Sequence, residues 1–195
     1  CHFAYFMRYG LKARERTGAG FDAPQIGTFL HFLLENVTRD VLAEGGFAAV
    51  EQEELHRLVR RYTERYVEQE LHNFQNRNAR FRYLFARLRT TAYAVIDQVA
   101  AELRCSDFVP MAFELSFGGK NGALSAVTIS EPDGELRVGG KVDRVDGWLH
   151  DGRLYLRVVD YKSGRKSFDL ANVRMGLDIQ MLLYLFTLQK EGARY

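Results

Sequence analysis

Apolar residues in the first half of the chain recur at helical spacing. Leu55, Leu58, Val59, Tyr62, Tyr66 and Val67 mark one stripe across residues 50–72. Phe81, Leu84, Phe85, Leu88, Ala92, Val95 and Val99 mark another across residues 79–103. A repeat of about 3.6 residues lays such positions along one face, so both segments are predicted to be helices buried on that face. A shorter helix is predicted from about residue 28 to 44, with Gly27 before it and Gly45-Gly46 ending it. The preceding run Arg16-Thr-Gly-Ala-Gly-Phe-Asp-Ala-Pro24 has loop chemistry.

Beyond Cys105 the pattern changes. Val109, Met111, Phe113, Leu115 and Phe117 alternate through residues 108–117, which predicts a strand. Gly118-Gly-Lys-Asn-Gly122 reads as a turn. Residues 123–130 and 136–145 are further strand candidates, separated by Glu131-Pro-Asp-Gly134. His150-Asp-Gly-Arg153 is a hairpin turn leading into a run rich in Val, Leu and Tyr over residues 154–161. A final apolar helix is expected over residues 176–190, and no internal repeat or low-complexity tract is visible. Helices, then an antiparallel meander, then a helix give an α+β order, or an α/β fold with a mixed sheet. At 195 residues the chain reads as one domain, residues 1–104 mainly helical and residues 105–195 carrying the sheet and last helix.

Composition narrows the class. With 47% hydrophobic and 27% charged residues, a disordered tail, a collagen-like fibre and a disulfide-stapled miniprotein are excluded. No apolar run approaches the ~20 residues of a membrane span, so no membrane partner is expected. The net charge of +2 permits a nucleic-acid partner without arguing for one. The chain opens on Cys1 rather than Met, without signal-peptide character, and reads as a piece of something longer. Cys1 and Cys105 are too few for a disulfide framework or a zinc site, and a reducing cytoplasm is the default compartment. Cys105 is expected to be a buried small residue.

The chemistry concentrates in Gly140-Lys-Val-Asp-Arg-Val-Asp146 and Val158-Val-Asp-Tyr-Lys-Ser-Gly164. Residues two apart share one face of a strand, so Asp160 and Lys162 point the same way as Leu154, Leu156 and Val158. Charges at the end of an apolar face are costly unless they pair or bind a metal. The hairpin return after residue 153 can bring Asp143 beside Asp160. Hard cations such as Mg²⁺ take one or two carboxylates plus water and phosphate oxygens. A lysine beside such an ion stabilises charge growing on a phosphate. An ordinary surface ion pair is the alternative.

These residues resemble a known family. Val-Asp-Arg-Val-Asp, Val-Val-Asp-Tyr-Lys-Ser-Gly and Gln180-Met-Leu-Leu-Tyr184, with Gly27-Thr-Phe-Leu-His31 upstream, are similar to the RecB-family nuclease domains of the PD-(D/E)xK superfamily. The segment from Cys1 to Lys12 resembles the start of that domain in AddB-type subunits of AddAB helicase–nucleases. The resemblance implies a restriction-endonuclease-like core, a mixed sheet flanked by helices. It implies a divalent-metal-dependent DNA exonuclease in double-strand-break repair, fed by an AddA-like helicase–nuclease partner subunit. A non-catalytic DNA-binding scaffold on the same fold and a stand-alone RecB-like exonuclease are the competing readings.

The resemblance carries over residue by residue. His31, Asp143 and Asp160 match the metal ligands, with Mg²⁺ as the expected ion, and the imidazole makes activity with Mn²⁺ plausible too. Asp146 competes with Asp143, but the two have opposite parity and only one can face the ion; the motif selects Asp143. Lys162 matches the catalytic lysine. Gln180 and Tyr184, four apart on one helical face, match the residues that position DNA backbone and lysine. The Tyr161 carbonyl is a further ligand candidate. Glu114 falls on the face opposite its strand's apolar residues, and Glu35 lies one turn after His31; both are secondary candidates. Cys1 matches the first of four cysteines that hold a [4Fe–4S] cluster in AddB-type domains. The other three follow the Gln-x-x-x-Tyr helix there, and the cluster is not completed within this chain.

Residues 71–96 hold no acidic residue. Arg80 and Arg87 flank the apolar stripe on one side, and Arg82 and Arg89 on the other. Phosphate binding and a solvated amphipathic helix are both open readings of this arrangement. Arg165 and Lys166 follow Lys162 closely enough to grip a strand near the reacting phosphate.

Overall fold

The computed structural model describes residues 1–13, 23–70, 79–119, 122–162 and 169–191. A short helix α1 (His2–Tyr5) runs into a π-turn at Phe6–Gly10. Three long helices follow: α2 (Ala23–Ala43), α3 (Gln52–Gln69) and α4 (Ala79–Arg104). Helix α2 starts earlier than its glycine suggested and takes Ala23 and Pro24, the end of the expected loop, into its first turn, while residues 16–22 of that loop lie outside the described residues. A proline costs little there because the first N–H groups lack intrahelical partners anyway.

The three helices share one core. Phe29, Leu33, Val37 and Val41 of α2 pack with Leu55, Leu58 and Val59 of α3 and with Phe85, Leu88, Ala92 and Ile96 of α4. Arg104 closes this layer, its guanidinium donating to the carbonyls of Phe47 (2.9 Å) and Val50 (2.8 Å) after α2. Cys105, expected inside, is exposed. It stands in the turn directly after α4, where the chain leaves the packed face.

Among the described residues five strands follow: β1 (Val109–Phe117), β2 (Val127–Glu131), β3 (Gly134–Val138), β4 (Gly140–His150) and β5 (Arg153–Val159). The strand expected over residues 136–145 is broken at Gly139, between β3 and β4. β2 and β3 form a separate two-stranded ribbon, while β1, β4 and β5 make an antiparallel sheet in the order β1-β4-β5. The parallel pairing among the described residues is a bridge from Phe117 to Leu124. The helix expected over residues 176–190 is α6 (Gln180–Glu191), which starts four residues later than expected, and a short helix α5 (Leu170–Arg174) precedes it. Gly176 and Asp178, both at positive φ, lie between them. Tyr184 and Leu188 of α6 pack on Phe117, Val142 and Val145, forming a second core beneath the sheet. An antiparallel sheet between a helical layer and α6 is a restriction-endonuclease-like α/β core.

Leu154 and Leu156 are 37% and 36% exposed, so the face leading to Asp160 is largely open. β5 is an edge strand, and α6 covers only its far end, where Val158 joins the second core. No helix among the described residues is long and apolar enough to cross a membrane.

Candidate metal centre

The site forms where α2, β1, β4 and the chain after β5 meet. The helical period brings His31 round to the α2 face that looks toward the sheet. Its Nδ1 lies 3.5 Å from Glu114 Oε1 and 3.5 Å from Asp143 Oδ1. One ligand-type atom from each of His31, Glu114 and Asp143 lies within 4.8 Å of the others. His31 Nε2 lies 3.2 Å from the Tyr161 carbonyl. With the proton on Nε2, that carbonyl accepts it and the Nδ1 lone pair faces the carboxylates, the tautomer a metal ligand needs. The Tyr161 carbonyl is thereby engaged with the ring. Two carboxylates and an imidazole nitrogen are a donor set that fits Mn²⁺ and, less tightly, Mg²⁺.

Asp143 is largely buried, and the backbone N–H of Tyr161 donates to its Oδ2 at 2.6 Å. Burial raises its carboxyl pKa above the ordinary value, while the Tyr161 N–H and His31 pull the other way. Asp146 faces away from this cluster, as opposite parity on one strand requires. It is fully buried and clasped by two guanidiniums. Arg144 donates through Nε (2.7 Å) and Nη2 (3.0 Å), and Arg157 through Nε (3.0 Å) and Nη2 (2.7 Å). Arg144 Nη1 also donates to the Tyr161 hydroxyl at 2.6 Å. Burial pushes that phenol up to about 12, against the opposing effect of Arg144. The same tyrosine thus holds Asp143 and His31 through its backbone and the arginine network through its ring.

Asp160 stands beside the cluster rather than within it. Its carboxylate accepts from Lys162 Nζ at 2.7 Å (Oδ2) and from Gln180 Nε2 at 3.1 Å (Oδ1). Gln180 also donates to the Tyr184 hydroxyl, which in turn donates to the Lys141 carbonyl at 2.7 Å. A polar chain therefore runs from Asp160 through α6 to the start of β4. Burial alone lowers the Lys162 pKa, but the hydrogen bond and charge of Asp160 outweigh it and the net shift is upward. Lys162 is a cation at neutral pH.

Glu114 is the residue whose part the sequence reading left open. It has a positive φ of 48°, and it falls between the ladder pairs Phe113↔Arg144 and Leu115↔Val142, hence opposite Asp143. A non-glycine residue rarely takes that conformation. Its carboxylate reaches across to α2 and to Lys141 Nζ, 3.0 Å away. The detectable signal was the one charged residue in its strand.

Glu35 lines a cavity of about 450 Å³ with Gly27, Thr28, His31, Phe32 and Glu114, but its carboxylate is held by Arg39 at 2.9 Å. Arg80, Arg82, Arg87 and Arg89 lie on the exposed side of α4. Arg82 and Arg89 border a cleft against Glu64 and Glu68 of α3, away from the carboxylate cluster. Arg165 and Lys166 lie outside the described residues. Cys1 is exposed, and its Sγ accepts from the Ala4 N–H at 3.5 Å.

The whole chain, residues 1–195, matches the PD-(D/E)XK nuclease superfamily. It is 34% identical over 187 residues to the B subunit of the ATP-dependent helicase/deoxyribonuclease of Caldanaerobacter subterraneus, covering 95% of this chain and 16% of that protein. Proteins of the same description from Acetivibrio thermocellus (32% over 194 residues) and Clostridium tetani (30% over 193 residues) each match 98% of the chain. In both, the match spans 17% of the relative's length.

Proposed function

Because the chain belongs to the PD-(D/E)XK nuclease superfamily, we propose that it is a divalent-metal-dependent deoxyribonuclease domain that degrades DNA from an end. We further propose that it acts within a longer protein beside a helicase–nuclease partner subunit, in double-strand-break repair. The shared description of its relatives supports that setting. The observation that carries the enzymatic reading is the convergence of His31, Glu114 and Asp143 next to Lys162, Gln180 and Tyr184.

His31, Glu114 and Asp143 would hold the ion, with Asp160, expected from the motif as the second carboxylate ligand, standing beside them on Lys162 and Gln180. An ion held there would supply Lewis-acid polarisation of a phosphoryl oxygen and a nucleophilic water at neutral pH. Lys162, kept protonated by Asp160, donates to the phosphate as negative charge grows on it. Gln180 and Tyr184 hold Asp160 and the start of β4 in register, so the amine stays aimed. Cys1 serves a [4Fe–4S] cluster only together with thiolates supplied by the longer protein, and Arg80, Arg82, Arg87, Arg89, Arg165 and Lys166 are assigned to the DNA backbone.

The test is cleavage of end-labelled linear DNA beside a closed circle. With Mn²⁺ or Mg²⁺ the linear DNA should be shortened from its ends, and EDTA should stop the reaction. Lys162→Met should lower the rate by about 10²–10³-fold, the cost of losing a donor to transition-state charge, and keep DNA affinity within about twofold, as an exposed pair implies. DNA binding without cleavage under either metal would establish the scaffold reading instead.

A further inference from the structure

A second lysine stands at the site. Lys141 is the second residue of β4, directly after Gly140, with Nζ 3.0 Å from Glu114 Oε2. The other oxygen of that carboxylate faces His31 Nδ1 at 3.5 Å. Glu114 is therefore shared between the cluster and the amine. The backbone of Lys141 is fixed by its ladder pairing with Ser116 and by the Tyr184 hydroxyl on its carbonyl. Its side chain is 57% exposed and able to swing about that fixed point.

Space for the swing lies beside it. Phe117, Gly139, Gly140, Lys141, Gln180 and Tyr184 line a cavity of about 570 Å³, which Asp178 also borders. A side chain at Gly140 would meet the Phe117 ring at 2.9 Å, so the wall next to Lys141 is bare backbone. Charge supplies the drive. Glu114, Asp143 and Asp160 are three carboxylates facing two amines, with Lys141 on Glu114 and Lys162 on Asp160. A dication seated against Glu114 competes with Lys141 for the same carboxylate, because like charges at such range repel. A phosphodiester group is then the nearest counter-ion for the released amine.

We propose that Lys141 contacts the substrate: it holds Glu114 while no ion is bound, and grips a backbone phosphate neighbouring the scissile one once an ion takes Glu114. This rests on the assignment of His31, Glu114 and Asp143 as the metal site. Two opposed consequences follow for Lys141→Gln. Metal affinity should rise, and single-strand affinity should fall.

Calorimetric titration of the DNA-free protein with Mn²⁺ should show Lys141→Gln binding about 2- to 5-fold more tightly than wild type, the scale of one exposed ion pair. Binding of an oligothymidylate with Ca²⁺ present should weaken, and its dependence on log salt should flatten by about one phosphate contact. Lys141→Arg should restore both the oligonucleotide affinity and the salt slope. Equal Mn²⁺ affinity and equal salt slopes in wild type and Lys141→Gln overturn the proposal while leaving the metal site standing. A wild-type protein that binds no Mn²⁺ overturns both.

Discussion

Asp143→Asn is expected to abolish cleavage and yet raise the melting temperature of the metal-free protein. Asp143 presents one oxygen to His31 and the cluster and the other to the Tyr161 N–H. Its replacement removes the charge that a dication needs, so the rate should fall by about 10³-fold or more, beyond the loss of a single transition-state donor. The stability effect has the opposite sign. Burial lifts the folded-state pKa of Asp143 above its ordinary value. The native state then binds the proton more tightly than the unfolded chain does. Stability falls as pH rises from the unfolded carboxyl pKa through the folded one, and the deficit persists at neutral pH.

Asparagine offers the Tyr161 N–H an acceptor and carries no charge, so that deficit should vanish. In EDTA at pH 7 the variant should melt above wild type, and the gap should close as pH drops below about 3.9, the unperturbed Asp pKa. Added Mn²⁺ should raise the wild-type melting temperature and leave the variant's nearly unchanged, since only binding to the native state stabilises. Cleavage by Asp143→Asn within about tenfold of wild type would remove Asp143 from the metal site.

Asp146→Ala should be the most destabilising single change in the sheet. Arg144 and Asp146 are 1% and 0% exposed. Removing Asp146 leaves Arg144 buried and Arg157 partly buried without the carboxylate both clasp. Breaking a buried pair from one side costs about 3–5 kcal/mol, because the remaining charge stays desolvated. Arg157 keeps a partner in Glu102 at 2.7 Å, which leaves Arg144 as the principal loser. The double change Arg144→Met, Asp146→Leu should cost less than Asp146→Ala alone, since no charge is stranded.

Urea unfolding followed by circular dichroism measures both. The damage should also reach the site. Arg144 donates to the Tyr161 hydroxyl, and the Tyr161 backbone holds Asp143 and His31. Weaker Mn²⁺ binding by the folded fraction of Asp146→Ala is therefore expected. A stability loss under about 1 kcal/mol, the range of an exposed pair, would mean that water reaches Arg144.

The helices were legible because their apolar periods are long. The stripe from Leu55 to Val67 and the part of the other from Phe85 to Val99 both became faces of one core. Short elements were less legible. The break at Gly139 and the late start of α6 turn on a few backbone dihedrals, including positive φ at Gly176 and Asp178. The exposure of Leu154 and Leu156 was not readable at all, since alternation names a face but not what covers it.

The site divides along the same line. Strand parity alone separated Asp143 from Asp146, because neighbouring side chains on a pleated strand diverge whatever surrounds them. The order of the motifs set out His31, Asp143, Asp160, Lys162, Gln180 and Tyr184 as candidates before any coordinates. Tertiary structure decided the rest. It placed Glu114 in the cluster through a backbone rotation that no alternation encodes, brought Gln180 onto Asp160, and gave Tyr161 its double hold on Asp143 and Arg144. Local periodicity is a property of consecutive residues and so belongs to the sequence. Which carboxylates share one oxygen-lined pocket depends on contacts as distant as the 130 positions between His31 and Tyr161, and only the folded chain sets those.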